Sequence, residues 1–146
     1  MTKKVILVED DLDDQELFVS FFSHRNDIEL LPPVGNGVEL AQLLNGIESD
    51  GELPDLIVLD QNMPRMNGKQ TLSFLKSSER FAHIPAVVYS THADSNLVSE
   101  CKSLGAEMVA VKPFDGDGYQ KMMDDFLEVF NEMGNRSTTP GGPQAR

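Results

Sequence analysis

Charged and polar side chains stand directly after four short aliphatic runs of the sequence, and their types suit binding of a metal ion and a phosphoryl group. The residues are Glu9 and Asp10, Asp60, Ser90 and Lys112. Carboxylates that lie close together repel one another, so each resists ionisation unless a cation lies beside it. Oxygen ligands without a nearby histidine favour Mg²⁺, with Mn²⁺ as an alternative, over zinc. The sequence therefore predicts a divalent-cation site if these runs end at one place.

The same residues indicate phosphoryl transfer to a carboxylate. A carboxylate beside a bound Mg²⁺ can attack phosphorus and form an aspartyl phosphate. The Lys112 ammonium and a hydroxyl such as that of Ser90 can stabilise the charge on the transferring group. Asp60 is the expected nucleophile, because the loop after it places its carboxylate between the acidic pair and Lys112.

Aliphatic runs alternate with amphipathic helical patterns along the chain. We expect strands at 5–8, 28–31, 56–59, 85–89 and 108–111, and helices at 13–25, 37–47, 69–78, 94–104 and 118–133. Five β-α pairs in succession predict an α/β fold, in which a parallel sheet carries helices on both faces. In such sheets the ligand sites lie beyond the carboxyl ends of the strands. That is where each of the polar residues above is expected.

The composition restricts the kind of protein. The chain has 146 residues, 25% of them charged, which suits one soluble domain. The formal net charge of -12 argues against binding to nucleic acid or to an anionic membrane. A single cysteine excludes an internal disulfide, and the apolar runs are too short for a membrane span or a signal peptide. We expect a cytoplasmic protein with one domain over 1–130 and a flexible, Gly- and Pro-rich tail over 131–146.

Four motifs together resemble the receiver domain of two-component response regulators. They are Val8-Glu9-Asp10-Asp11, the segment Leu59-Asp60-Gln61-Asn62-Met63-Pro64-Arg65-Met66-Asn67-Gly68, Ser90, and Lys112-Pro113-Phe114. The spacings match that family too, with 30 residues from Asp60 to Ser90 and 22 from Ser90 to Lys112. The resemblance covers about residues 3–130 and implies a stand-alone receiver. It also implies a flavodoxin-like (βα)5 fold with a five-stranded parallel sheet in the order 2-1-3-4-5.

The resemblance implies a role for each residue of the site. Asp60 is the phosphoacceptor, and Lys112 contacts the phosphoryl group. The bond before Pro113 is expected to be cis, as in the family. The implied ligands of Mg²⁺ are the side chains of Glu9, Asp10 and Asp60 and the backbone carbonyl of Asn62.

The sequence leaves alternatives open for the switch residues, which are those expected to change conformation on phosphorylation. Ser90 is the hydroxyl expected to bond the phosphoryl oxygen, although Thr91 beside it is a second candidate that the spacing favours less. Val109 stands where many receivers carry an aromatic ring that turns inward on activation, so we expect the conformational switch of this chain to differ from theirs or to be weaker. Tyr89 is an alternative switch residue, but packing is its more usual role. His92 either screens the phosphoryl group from water or is an ordinary exposed loop residue.

The resemblance also implies partners. A sensor histidine kinase or a histidine phosphotransfer protein donates the phosphoryl group, and the output passes by contact to a downstream protein or by formation of a homodimer. The start of the chain is similar to receivers paired with phytochrome-type kinases. We expect no enzyme activity beyond assistance with the chain's own phosphorylation and dephosphorylation.

Two other functions remain open from the residues. An aspartate-nucleophile phosphohydrolase shares the Asp, Mg²⁺ and Lys chemistry, but such enzymes carry an acid two residues after the nucleophile, where this chain has Asn62. A receiver-like protein that only docks would need no phosphorylation. The complete set of acid, hydroxyl and lysine counts against that alternative.

Overall fold

The computed structural model describes residues 2–138, with side chains as far as residue 132, and shows five β-strands alternating with five α-helices. The strands are β1 (Lys3–Val8), β2 (Ile28–Leu30), β3 (Leu56–Asp60), β4 (Ala86–Ser90) and β5 (Met108–Val111). The helices are α1 (Leu12–Phe22), α2 (Gly37–Gly46), α3 (Gly68–Ser77), α4 (Ser95–Ser103) and α5 (Gly116–Thr138). All neighbouring strands are parallel, in the order β2-β1-β3-β4-β5, which confirms the predicted architecture.

The sheet separates two hydrophobic clusters. One cluster packs α1 and α5 on the sheet through Phe18, Phe22, Met123 and Phe126. The other packs α2, α3 and α4 on the opposite face, with Leu40, Leu72 and Cys101 among its members. Residues 5–8 of β1 and 56–59 of β3 are buried on both faces of the sheet, which is why these two segments contain only aliphatic residues.

The helices begin at the same edge of the sheet where the strands end. Asp11, Asn36, Asn67 and Asp94 each occupy the N-cap position of a helix, and each side chain accepts a hydrogen bond from a backbone N–H of the first turn. At α3 the cap is reciprocal, because the Gln70 side chain also accepts from the backbone N–H of Asn67. These caps fix the loops that carry the functional residues.

The last helix is longer than the sequence pattern predicts. α5 continues to Thr138, whereas we expected its end near residue 133 and a flexible tail from 131. A glycine within a helix costs only about 1 kcal/mol relative to alanine, so Gly134 does not by itself end the helix. The remainder of the expected tail, 139–146, lies outside the described residues. Among the helices that are described, none has the length and hydropathy needed to cross a membrane.

The bond between Lys112 and Pro113 corrects one expectation. All peptide bonds within residues 2–138 are trans, so the prediction of a cis bond before Pro113 is wrong. The trans isomer of an X-Pro bond is favoured intrinsically by roughly 0.5–1 kcal/mol. Lys112 reaches Glu9, Asp14 and Asp60 with the trans bond in place, so these three contacts do not require the cis isomer.

Candidate functional site

Strand register brings the functional side chains to one face of the sheet. Asp60 pairs with Tyr89 across β3 and β4, and Val8 pairs with Leu59, so Glu9 comes level with Asp60 one residue later. Lys112 lies two residues after Ala110, which pairs with Tyr89. Because side chains alternate along a strand, these four residues share the face that is covered by α1 and α5.

Three carboxylates meet at this edge, as the sequence predicted. One carboxylate oxygen each from Glu9, Asp10 and Asp60 can be chosen so that all three lie within 4.8 Å of one another. Glu9 is fully buried and Asp60 is 2% exposed, whereas Asp10 faces solvent and leaves the cluster open on one side. Burial and the neighbouring Glu9 carboxylate raise the pKa of Asp60 to about 7. The same two causes raise the pKa of Asp10 above its ordinary value.

Lys112 supplies the positive charge of the site. Its Nζ lies 2.9 Å from Glu9 Oε1, 2.9 Å from Asp14 Oδ2 and 3.4 Å from Asp60 Oδ1. Burial alone would lower the pKa of Lys112, but the hydrogen bonds to Asp14 and Glu9 outweigh it and raise that pKa above its ordinary value. The ammonium is therefore charged at neutral pH and stands beside the proposed nucleophile.

The donor set fits a divalent cation. Four carboxylates, counting Asp14, face one ammonium, and two of them are buried. The cluster therefore keeps a net negative charge that a bound cation would balance. All three carboxylates of the cluster offer hard oxygen ligands, which suit Mg²⁺ or Mn²⁺.

The loop after β3 closely approaches Asp60. The backbone N–H of Asn62 donates to Asp60 Oδ1 at 3.3 Å, which orients the carboxylate. A Cβ atom on Gly68 would stand 2.8 Å from Gln61 Oε1 and 2.9 Å from the backbone oxygen of Asp60, so glycine is required there. The Asn62 side chain is exposed, and its backbone carbonyl stays a predicted metal ligand.

The predicted switch residues lie at the neighbouring strand ends. Ser90 is buried at the end of β4, and its hydroxyl accepts a hydrogen bond from the backbone N–H of His92 at 3.3 Å. Thr91 and His92 are both exposed in the loop that follows. Val109 is half-buried and packs against the cluster on the opposite face of the sheet. Their roles in switching stay predictions.

Two residues of the site were not predicted as such from the sequence. Asp14 lies in the first turn of α1, where acids are common, yet its carboxylate accepts a hydrogen bond from Lys112, 98 positions away in the chain. Tyr89 was assigned mainly to packing, yet its hydroxyl donates to Glu9 Oε1 at 2.7 Å. The sequence did contain a signal for Tyr89. Side chains alternate between the two faces of a strand, and this alternation places Tyr89 on the same face of the sheet as Asp60.

Comparison with known proteins agrees with this geometry. Residues 5–124 match the family described as the response regulator receiver domain. The crystal structure of a phosphorylated cyanobacterial phytochrome response regulator, RcpA, is 26% identical, with 91% of this chain and 96% of that chain covered at a TM-score of 0.74. The Mn²⁺-bound form of response regulator Rcp1 is 27% identical, with 82% and 88% covered and a TM-score of 0.68.

A longer relative shares the same region. The protein-glutamate methylesterase/protein-glutamine glutaminase of Clostridium acetobutylicum is 30% identical over 98% of this chain, and the chain spans 41% of that relative's length. The family match covers most of the chain, and the fold and the acidic edge of the sheet are those that the motifs imply. The chain therefore belongs to the receiver domains of response regulators, which are phosphorylated on an aspartate in two-component signalling.

Proposed function

We propose that Asp60 accepts a phosphoryl group from the phosphohistidine of a sensor histidine kinase or a histidine phosphotransfer protein. The single observation that carries this proposal is the placement of Asp60. Its carboxylate is buried at the end of β3, where it lies within 4.8 Å of carboxylate oxygens of Glu9 and Asp10 and 3.4 Å from the Lys112 ammonium. A nucleophile in that position has a positive group ready for the incoming phosphoryl oxygens.

The carboxylates fit a divalent cation. The side chains of Glu9, Asp10 and Asp60 would hold Mg²⁺ or Mn²⁺, and the backbone carbonyl of Asn62 would be a fourth protein ligand. The cation would neutralise charge, both on the clustered carboxylates and on the phosphoryl oxygens.

The chain's own residues perform the transfer. A carboxylate oxygen of Asp60 bonds to phosphorus as the bond between phosphorus and the donor's imidazole nitrogen breaks, and the imidazole keeps that electron pair. The Asn62 N–H orients the nucleophile through its hydrogen bond to Oδ1. Lys112 then turns from its carboxylate partners to a phosphoryl oxygen.

The acyl phosphate switches contacts through the loop after β4. The Ser90 hydroxyl accepts a hydrogen bond from the His92 N–H, so its own O–H can be donated to a phosphoryl oxygen, which is a charged acceptor. Movement of Ser90 towards that acceptor draws with it the loop that contains Thr91 and His92, and thereby biases the chain between two states. Many receivers have a large aromatic ring where this chain has the small side chain of Val109. We therefore expect the loop after β4 to account for most of the conformational change on phosphorylation.

Exposed apolar side chains offer docking surfaces for the partners. Leu12, Leu17 and Val19 on α1 are exposed beside the acidic edge, where a histidine donor must approach. Phe114 and Val111 are exposed at the opposite edge of the site and suit a downstream protein or a second copy of the chain. Because the chain carries a net charge of -12, partners with basic patches are favoured in the cytoplasm. The likeness to RcpA, a cyanobacterial phytochrome response regulator, supports a phytochrome-type kinase as the donor.

Labelling by a small phosphodonor tests the proposal. Wild-type protein incubated with acetyl phosphate and Mg²⁺ should gain one phosphoryl group, seen by intact mass. Asp60→Asn should gain none while keeping its circular dichroism spectrum. Equal labelling of both proteins would contradict the assignment of Asp60. Catalytic turnover of a phosphate ester would favour the phosphohydrolase, and no labelling of either protein would favour a domain that only docks.

A further inference from the structure

The Tyr89 side chain crosses β3 and contacts Glu9, one of the predicted metal ligands. The residue is fully buried in β4, and its register partner is Asp60 in β3. Its hydroxyl nevertheless bonds to Glu9 beyond the end of β1, on the far side of β3. The ring packs edge-on against Phe18 of α1, with centroids 6.4 Å apart, so both the helix and the sheet fix its direction.

The carboxylate of Glu9 is held on both oxygens. Oε1 accepts from the Tyr89 hydroxyl at 2.7 Å and lies 2.9 Å from Lys112 Nζ, and Oε2 accepts from the backbone N–H of Asp11 at 3.2 Å. A distance of 2.7 Å is typical of a well-formed O–H···O hydrogen bond. Since Glu9 is fully buried, these donors replace the water that an exposed carboxylate would bind.

Lys112, one of the two donors to Glu9 Oε1, also contacts other carboxylates. Its Nζ lies within 3.4 Å of oxygens of Glu9, Asp14 and Asp60. In the proposed function it turns to the phosphoryl group on Asp60. Its Nζ also lies 4.9 Å from the centroid of the Tyr89 ring, so its movement changes the field at that ring. When Lys112 leaves Glu9, the Tyr89 hydroxyl is the donor that stays on Oε1.

We propose that Tyr89 is a positioning residue whose hydroxyl holds the Glu9 carboxylate in place for a divalent cation, before and after Lys112 engages the phosphoryl group. This inference rests on the proposed function. Partners that orient metal-bound carboxylates typically change metal affinity by 10- to 100-fold when they are removed. Tyr89→Phe removes only the donor and keeps the ring.

The tyrosine content makes the test specific. The chain has two tyrosines and no tryptophan. Tyr119 lies in the same buried cluster on α5, and Tyr119→Phe is therefore a matched control that leaves Tyr89 as the one tyrosine reporter. We expect calorimetric titration with Mg²⁺ to give about 10-fold weaker binding for Tyr89→Phe and near wild-type binding for Tyr119→Phe.

A spectroscopic signal separates positioning from packing. In Tyr119→Phe, the near-ultraviolet absorbance and fluorescence of Tyr89 should change with Mg²⁺, saturating with the calorimetric curve, and should change again with beryllofluoride. This measurement needs no variant at position 89. Wild-type Mg²⁺ affinity in a folded Tyr89→Phe, or a silent Tyr89 signal during saturable binding, would overturn the inference. Failure of wild-type protein to bind Mg²⁺ or beryllofluoride at all would instead overturn the proposed function.

Discussion

Asp60 should make the metal-free protein less stable as pH rises, and Asp60→Asn should remove that effect. The carboxyl group has a pKa of about 7 in the fold, against an ordinary value of 3.8. Between these values the folded chain binds more protons than the unfolded chain, so the free energy of unfolding falls as pH increases. The stability from protonated Asp60 is complete below pH 3.8 and is lost as pH rises through about 7.

The magnitude follows from the difference between the two pKa values. A gap of about three pH units corresponds to about 4 kcal/mol, which is an upper value for one carboxyl group. Asparagine keeps the shape of the side chain but carries no charge. We therefore expect Asp60→Asn to be more stable than wild type at pH 8 without metal, by up to about 4 kcal/mol. The advantage should shrink towards pH 5.

Urea unfolding followed by circular dichroism measures this difference. Both proteins are unfolded in EDTA at pH 5 and pH 8, and Asp13→Asn controls for the loss of one exposed acid elsewhere. Mg²⁺ at about 100 times its dissociation constant should then return about 2.7 kcal/mol to wild type, and much less to Asp60→Asn. Equal pH dependence in wild type and Asp60→Asn would refute the reasoning, because Asp60 would then not carry the buried charge.

Three further outcomes are expected. Lys112→Ala should accept phosphoryl groups from acetyl phosphate but lose most of the change in amide spectra at Ser90; an unchanged spectral response would contradict the role given to Lys112. Asp14→Asn should bind beryllofluoride several-fold more tightly, because it releases one competing partner of Lys112; weaker binding in a titration would show that Asp14 holds the lysine for catalysis instead. Gly68→Ala should lower the free energy of unfolding by about 1–3 kcal/mol, because its Cβ would stand closer than 3.0 Å to the backbone of Asp60. The matched Gly46→Ala, whose Cβ meets nothing within 4 Å, should be neutral or stabilising by up to about 1 kcal/mol, and equal losses in the two variants would contradict the steric argument.

The arrangement of strands could be predicted because burial on two faces leaves a simple pattern. The runs 5–8 and 56–59 contain only aliphatic residues, and the acids that end them mark the edge of the sheet. Parallel connections bring all such ends together, so the cluster of Glu9, Asp10 and Asp60 follows from topology. The particular strand order came from the resemblance to the receiver family.

The sequence did not reveal contacts between side chains that are far apart in the chain, because each residue involved also fits its local secondary structure. Asp14 fits the first turn of a helix, where acids are common, and Tyr89 fits a buried strand. Their bonds to Lys112 and Glu9 depend on the height of each side chain above the sheet, which no local pattern encodes. The extent of α5 and the isomer at Pro113 are similar cases, because weak local preferences leave both outcomes open.

The most direct measurement is beryllofluoride binding, which mimics the aspartyl phosphate without a kinase. Wild type and Asp60→Asn are titrated with beryllofluoride, with and without Mg²⁺, and followed by mass and by amide spectra. We predict one bound group that requires both Mg²⁺ and Asp60, with spectral changes that extend from Ser90 to Lys112. Absence of binding to folded wild type in Mg²⁺, or equal binding to Asp60→Asn, would contradict the central claim that this acidic site is a phosphoryl-operated switch.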